Sequence, residues 1–329
     1  MIWYKNTDDI VISSRIRLAR NLSGTPFPNA LKNKKDVCEK IKNSIQQTVL
    51  MNEFKEYNFD EIKQSTKNAL AEEHLISIEM TDGEHKCTLI NNNKTTSLMI
   101  MEEDHIRLQV ILGGYKLDEA LTEADRIDDI MQESLDFAFD EELGFLTSCP
   151  TNTGTGLRAS VMLHLPALSI TKNISRITAS AGKLGIAVRG FYGEGSEASG
   201  SFYQISNQIT AGESESDIIK RVQNIVDRII NLEKQARENL MKNEETNFLE
   251  KLYRSYGILK YTHSISSLEA KTYLSDVLLG QNMGIIKEKG ILSPMECIIR
   301  TEPAMLSGSE NLSPQERDIK RAEIIRNNI

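Results

Sequence analysis

Acidic residues are missing from one long stretch of this sequence: between Glu142 and Glu194 there is no Asp or Glu. At the chain's mean acid frequency of 47 in 329 residues, about seven would fall there by simple proportion. Other absences exclude whole classes. The four cysteines, Cys38, Cys87, Cys149 and Cys297, lie far apart in the chain and form no Cys-x-x-Cys pair. Neither a zinc ribbon nor a disulfide scaffold is indicated, and a reducing cytoplasm suits such thiols. The most apolar stretch, "VMLHLPALSI", is about ten residues long and holds His164 and Pro166, too short to span a bilayer. The N-terminal "MIWYKNTDDIVISSRIRLARN" has no apolar core before a small-residue cleavage site and is no secretory signal. A net charge of −8 argues against direct nucleic-acid binding, which runs on neutralised phosphates. The expectation is a cytoplasmic globular protein of one large or two ordinary domains, without a membrane partner.

Hydrophobic spacing then divides the chain. "SSRIRLAR" reads as extended. Val37, Ile41, Ile45 and Val49 recur every fourth residue and predict a helix over Lys34 to Leu50, with another from Asp60 to Glu73. "LISIEM", "HKCTLIN", "TSLMIM" and "HIRLQVIL", separated by "TDGE", "NNNK" and "EEDH", predict antiparallel strands. An acidic helix is expected over about Leu117 to Glu142, a strand at "GFLTS", a helix at "GLRASVMLHLPAL" and a strand pair at "GIAVRGFY" and "SFYQISNQ". From about Ser214 the sequence reads as helical to its end, with Ser313 as a cap before Pro314. This predicts an α+β catalytic-type domain over 1–235, its short N-terminal part to about 75 being helical, and an all-helical domain over 236–329.

"GTGLRA", Gly154 to Ala159, fits G-x-G-x-x-A between an expected strand and helix, yet the acidic residue that a ribose hydroxyl needs about twenty positions on is missing. No Gly-Lys-Ser/Thr follows, so a P-loop is excluded as well. The acid-free window holds Arg158, Lys172, Arg176, Lys183 and Arg189. A buried apolar segment would also lack carboxylates; a site for a strongly anionic ligand is the other reading. Arg15 and Arg17 stand two apart and share a face if extended, Arg107 falls on an expected strand, Arg189 at a strand end, and Arg158 near an expected helix start, where backbone N–H groups favour anions. A surface arginine is commonly just solvated; five together have the permanently charged planar fork suited to phosphate.

"SSRIRLAR", "EEDHIRLQ", "LTSCPTNTGTGLRAS" and "RGFYGEGSEASGSFYQISNQ", in that order, resemble the phosphagen (guanidino) kinase family, and within it the bacterial protein-arginine kinase (McsB-type) subgroup. The chain starts about a dozen residues before "SSRIR", where small-substrate kinases of the family carry a further helical domain, and "RDIKRA" at Arg317 to Ala322 is similar to the subgroup's phosphoarginine-sensing motif. The resemblance implies a largely antiparallel sheet flanked by helices, with a helical C-terminal regulatory and dimerisation domain. It implies an ATP site of Ser13, Ser14, Arg15, Ile16, Arg17, His74, Arg107, Arg158, Ala159, Ser160, Val161, Met162, Arg189, Gly190, Phe191, Tyr192 and Gly193. Glu103 and Glu194 are implied to grip the acceptor guanidinium, and Cys149 to be the reactive thiol. Arg317, Asp318, Arg321 and Ala322 are implied to form an allosteric phosphoarginine site. Met101 departs from the subgroup, which has asparagine there.

The implied chemistry is phosphorylation of protein arginines by ATP with Mg2+, marking proteins for regulated degradation under stress. A guanidinium with a pKa above about 12 is a poor nucleophile, which paired carboxylates orient and one of them deprotonates. Phosphoryl transfer needs alignment and positive charge more than covalent help, and Mg2+ rides on phosphates and water without a protein metal cage. Implied partners are proteins with exposed arginines, a Clp-type unfoldase/protease, a zinc-binding activator protein, a stress-gene repressor, and a second copy in a homodimer. Two alternatives stay open: a small-molecule guanidino kinase, and a non-catalytic phosphoarginine-sensing module.

Overall fold

The computed structural model describes residues 2–48, 52–191, 199–308, 310 and 312–329. Its elements, in chain order, begin with β1 (Val11–Arg20), α1 (Lys34–Gln46), β2 (Phe54–Asn58), α2 (Gln64–Glu72), β3 (Cys87–Asn91), β4 (Thr96–Ile100) and β5 (Ile106–Gly113). Then come α3 (Leu117–Gln132), β6 (Phe139–Asp140), β7 (Gly144–Phe145), β8 (Leu157–His164), α4 (Pro166–Ile170), α5 (Ile174–Gly182), β9 (Ile186–Arg189) and β10 (Phe202–Asn207). Helices follow: α6 (Glu215–Asn243), α7 (Glu245–Tyr261), α8 (Ser267–Asn282), α9 (Pro294–Arg300), α10 (Pro303–Ser307) and α11 (Pro314–Asn328). Strand order in the large sheet is β2-β3-β4-β5-β1-β8-β10-β9, and β6-β7 form a separate hairpin. Among the described residues no helix is long and apolar enough to cross a membrane.

Two compact units divide the chain. The first comprises Met1–Trp3, Ser13–Val161 and Ser206–Val222. In it β1 lies in the middle of the sheet, so Ile16 and Leu18 are almost wholly buried. β2-β3, β3-β4, β4-β5 and β5-β1 pair antiparallel. A satellite core of Phe59, Leu70, Leu75, Ile76, Met80, Ile90 and Met99 forms beside β3 and β4. Cys38 and Cys87, remote in sequence, meet as buried free thiols with their Sγ atoms 3.8 Å apart.

Several expectations are corrected here. "GLRASVMLHLPAL" is no helix: Leu157–His164 is strand β8, and helix α4 begins only at Pro166. Nearly every residue of β8 is buried, and a short continuously apolar run reads the same for a central strand as for a buried helix. "LISIEM" is no strand; Ile78–Thr81 is a 3-10 turn, capped by Ser77 accepting from the Met80 amide. The helix expected from Asp60 starts at Gln64, because the Asn58 side chain accepts from the Asp60 amide and holds a turn there. α1 ends at Gln46, and Val49 and Leu50 lie outside the described residues. α3 ends at Gln132, and the acidic residues after it form the β6-β7 hairpin, where Asp140 accepts from the amides of Glu142 and Leu143, both at 2.9 Å. The strand at "GFLTS" reduces to Gly144–Phe145, while β2, an edge strand with only Phe54 buried, went unread.

The second unit comprises Tyr4–Ile12, Met162–Ile205 and Gln223–Ile329. Its helices start on a repeated sequence device: Ser266, Ser293 and Ser313 each cap a helix and exchange hydrogen bonds with Glu269, Glu296 and Glu316 three residues on. α7 buries Phe248, Leu252 and Leu259, and α8 buries Leu274, Val277 and Leu279. Such Ser-to-Ala changes typically cost about 1 kcal/mol each.

Candidate functional site

Strand register determines which arginines meet. Arg15 and Arg17 lie on one face of β1, because alternate residues of a strand do. Ala19, on that same face, stands directly opposite Arg107 of β5, so Arg107 joins them. Ser160 of β8 accepts from Arg15 Nε at 3.4 Å, and Arg158 lies two residues before it on the same side. Arg158 donates to Ser206 at 3.3 Å. Four guanidinium groups therefore crowd one sheet face. Burial, then the charges of Arg107 and Arg158, pull Arg15 down to about 9; burial and the charges of Arg107, Arg15 and Arg158 pull Arg17 well below its ordinary range. Such a cluster stores repulsion that a polyanion would relieve.

Arg158 sits inside a strand, not at a helix start, so the anion-favouring amides expected there are not part of this face. The glycines of "GTG" have a packing role. A Cβ on Gly154 would lie 2.4 Å from the Thr210 carbonyl oxygen, and one on Gly156 2.7 Å from that of Ala19. Both have positive φ, +118° and +67°, and they let the loop pass close to neighbouring backbone. Arg20, the last arginine of "SSRIRLAR", faces the other way. It is fully buried, forks onto Asp128 at 2.7–3.1 Å and donates to the carbonyls of Ala19 and Thr155.

The turn Met101–His105 joins β4 to β5 and carries three carboxylates in a row. Glu102 is buried, bonded to Arg107 and Ser77. Burial opposes its ionisation, but the charge and hydrogen bond of Arg107, with Ser77 and Arg17, hold its carboxyl at about 2. Glu103 is exposed, and partial desolvation followed by the charges of Asp104 and Glu102 raises its carboxyl above the usual range. Asp104 is buried and accepts from Asn21 Nδ2 at 2.6 Å and from the Ser148 amide at 2.7 Å. Ser148 Oγ donates to the Glu103 carbonyl at 2.8 Å, so the Cys149 loop is tied to the Glu103 turn twice. His105 accepts the Leu22 amide on Nδ1, leaving Nε2–H to donate to the Pro26 carbonyl; burial lowers its pKa and keeps it neutral. Met101, the departure from asparagine, has φ +66°. Asparagine tolerates this left-handed backbone better than other side chains.

Cys149 is half-buried, its Sγ 3.0 Å from Thr151 Oγ1, on a loop pinned by Thr147 Oγ1 to the Cys149 carbonyl and by Thr210 Oγ1 to the carbonyls of Thr151 and Thr153. The remaining expected residues divide. Ser14 Oγ donates to the Gly114 carbonyl and accepts the Lys116 amide, a tie between β1 and the end of β5. Ser13, Ile16, Ala159, Ser160, Val161 and Met162 are buried, and the Ala159 amide donates to Asn207 Oδ1 at 2.8 Å. His74 is buried with its ring edge-on to Trp3, 5.4 Å between centroids, its carbonyl accepting from Gln109. Arg189, Gly190 and Phe191 belong to the second unit; Tyr192, Gly193 and Glu194 lie outside the described residues. Glu102, Asp104, Asn21 and Arg20 escaped the sequence reading, although the first two flank Glu103 in "EED".

In α11, Arg321 is buried, donating to the carbonyls of Thr301 and Ile265 at 2.9 Å and to Asp318 at 2.5 Å. Arg317 and Asp318 are half-buried and Ala322 fully so.

Residues 36–236 match the ATP:guanido phosphotransferase C-terminal catalytic domain, and residues 245–329 the protein-arginine kinase McsB C-terminal domain. The chain is 46% identical over 324 residues to a protein-arginine kinase of Halothermothrix orenii, covering 97% of this chain and 92% of that one. It is 43% identical over 325 residues to the protein-arginine kinase of Brevibacillus brevis, covering 97% and 91%. Among solved structures it is similar to the duplicated taurocyamine kinase of Schistosoma mansoni with bound transition-state-analogue components, with TM-score 0.64 and 25% identity, over 71% of this chain and 35% of that one. A lombricine kinase crystal structure is similar with TM-score 0.61 and 26% identity, over 71% and 69%.

Proposed function

The chain belongs to the ATP:guanido phosphotransferase family and carries the C-terminal domain of its protein-arginine kinases, and we propose that it phosphorylates arginine side chains in proteins with ATP. One observation carries the reading: four guanidinium groups share a sheet face whose adjoining turn presents a free carboxylate and is tied, through the Glu103 carbonyl and Asp104, to the loop bearing a half-buried thiol. Cationic forks suit the anionic donor; the carboxylate suits the cationic acceptor.

Arg15, Arg17, Arg107 and Arg158 hold the polyphosphate and take up charge on its equatorial oxygens. The repulsion that Arg15 and Arg17 feel from their neighbours makes binding partly a relief of that repulsion. Glu103 accepts from the substrate guanidinium and, with its raised pKa, takes the proton as the nitrogen–phosphorus bond forms and the bridging oxygen leaves with ADP. The Cys149 Sγ, on the loop tied to the Glu103 turn, serves the acceptor side by family likeness. By family likeness Arg189 and Glu194 serve the same reaction. By family likeness Mg2+ would come as the nucleotide's companion, held by phosphate oxygens and water beside this guanidinium-rich face. When bound it neutralises phosphate charge.

The proposal extends to a catalytic domain over 1–235 and a regulatory, dimer-forming domain over 236–329 with a phosphoarginine site at Arg317, Asp318, Arg321 and Ala322. It extends also to a cytoplasmic role in marking proteins for a Clp-type protease under stress, with a zinc-binding activator and a repressor substrate. Family likeness supports these parts. A second reading, transfer to a small guanidino compound, is favoured by the likeness to taurocyamine and lombricine kinases. The C-terminal match over 245–329 weighs for protein substrates. Incubation with ATP and a basic test protein, beside free arginine, separates the two. Acid-labile phosphate assigned to arginine in the protein is expected; phosphate on free arginine alone would overturn the reading.

A further inference from the structure

Beyond α3, residues 132–137, Phe139 and Phe145 line an open pocket of about 610 Å3 that the transfer reaction leaves unused. Phe137, Phe139 and Phe145 wall it, and Glu133 and Asp136 stand on its rim. Phe139 and Leu143 are 59% and 58% exposed, and the hairpin tip adds the exposed Glu141 and Glu142. None of Glu133, Asp136, Glu141 and Glu142 forms an ion pair among the described residues. The ring cluster already receives one guanidinium: Arg20 lies over Phe145 at 3.6 Å, while Phe139 and Phe137 meet that ring edge-on at 5.2 and 6.5 Å. Phe145 is four residues before Cys149, so their Cα atoms are at most about 14 Å apart, the span of about four residues of extended polypeptide.

Resting on the protein-arginine reading, we propose that this pocket docks a second basic side chain of the substrate polypeptide, with a neighbouring apolar residue against Phe139 and Leu143, within about four residues of the arginine being phosphorylated. The occupant follows from charge. An acidic rim repels membranes and nucleic acid, and it disfavours a second copy of this chain, whose net charge is −8. Aromatic walls under carboxylates select a cation on an apolar stem. Substrates would then be chosen by a cationic surface around the target arginine as well as by the arginine itself.

Three acceptors test this: a peptide with one arginine and Lys-Leu four residues to either side, the same peptide with Glu-Ser there, and N-acetylarginine amide. Phe139→Ser and the double variant Glu141→Lys, Glu142→Lys change exposed side chains outside the reacting centre. Each is expected to raise KM for the Lys-Leu peptide about tenfold with kcat unchanged, and to leave the other two acceptors as they were. An unchanged KM for that peptide would overturn the proposal. So would an equal loss on N-acetylarginine amide, which would make the hairpin a prop for the Cys149 loop, or a change in sedimentation in place of KM, which would assign the face to a second copy. Fluorescence anisotropy of the Lys-Leu peptide with glutamine at the acceptor position, without ATP, keeps docking separate from transfer: binding that the variants weaken supports the pocket even where no transfer occurs.

Discussion

Glu102 and Glu103 differ only in what surrounds their carboxyls, and that difference gives them opposite behaviour. With its carboxyl held at about 2 by Arg107, Glu102 stabilises the fold above the ordinary carboxylate pKa of about 4.3 and loses this contribution as pH falls toward 2. Glu102→Gln is expected to cost about 3 kcal/mol at pH 7, since it strips a buried arginine of its partner, and to flatten the acid side of the stability curve. Denaturant midpoints between pH 7 and pH 3 check both. Glu103, raised in pKa and exposed, can serve as the proposed base only when ionised, so on that proposal turnover should fall as acid protonates it, at a higher pH than an ordinary carboxylate would set. Glu103→Gln should retain nucleotide binding and lose about 10²- to 10⁴-fold in kcat across the pH range; unimpaired turnover would remove its role.

At the scale of elements, the face proposed to be active borders two loops that a single buried carboxylate joins. Asp104 takes hydrogen bonds from Asn21 just after β1 and from the Ser148 amide just before Cys149. Asp104→Ala leaves one N–H of the buried Asn21 side chain and the half-buried Ser148 amide unpaired, while Asn21 keeps its bond to the Leu146 carbonyl, an expected loss of about 1–2 kcal/mol. Faster hydrogen exchange confined to residues 147–153, with a fall in kcat and nucleotide affinity kept, is the expected signature. Uniformly faster exchange would mean that Asp104 holds the unit as a whole and not the loop. The strand assignment of β8 matters here too. As a strand it carries Arg158 and Ser160 on one face, beside Arg15, which a helix with its 3.6-residue period would not do.

For the whole molecule, an acidic chain concentrates cations on one sheet face, and its helical C-terminal segment holds a further arginine–aspartate pair. Arg321 is built into the fold through two backbone carbonyls, whereas Asp318 is bound to Arg321 and half-exposed. Arg321→Ala is therefore expected to lower stability by about 3 kcal/mol, and Asp318→Asn to remain folded. If phosphoarginine acts at α11, Asp318→Asn should lose activation by it while basal turnover holds. Activation measured as in the unaltered protein would move the regulatory site elsewhere.

Local pattern by itself determined the α+β class, the β3–β5 strands, the helical run after Ser214 with Ser313 as a cap, and a set of arginines around an acid-free stretch. Each of these rests on spacing within a few residues: alternation, helical periodicity, a serine before a proline, or a missing charge. Only the tertiary structure decided that "GLRASVMLHLPAL" opens as a central strand, that Glu102 is bound to Arg107 while Glu103 is free, and that Arg20 leaves the company of Arg15 and Arg17. The first and last depend on register and burial among segments roughly a hundred residues apart, where a shift of one position would turn every side chain to the other face; the Glu102–Arg107 pair, though close in sequence, depends on the burial of Glu102.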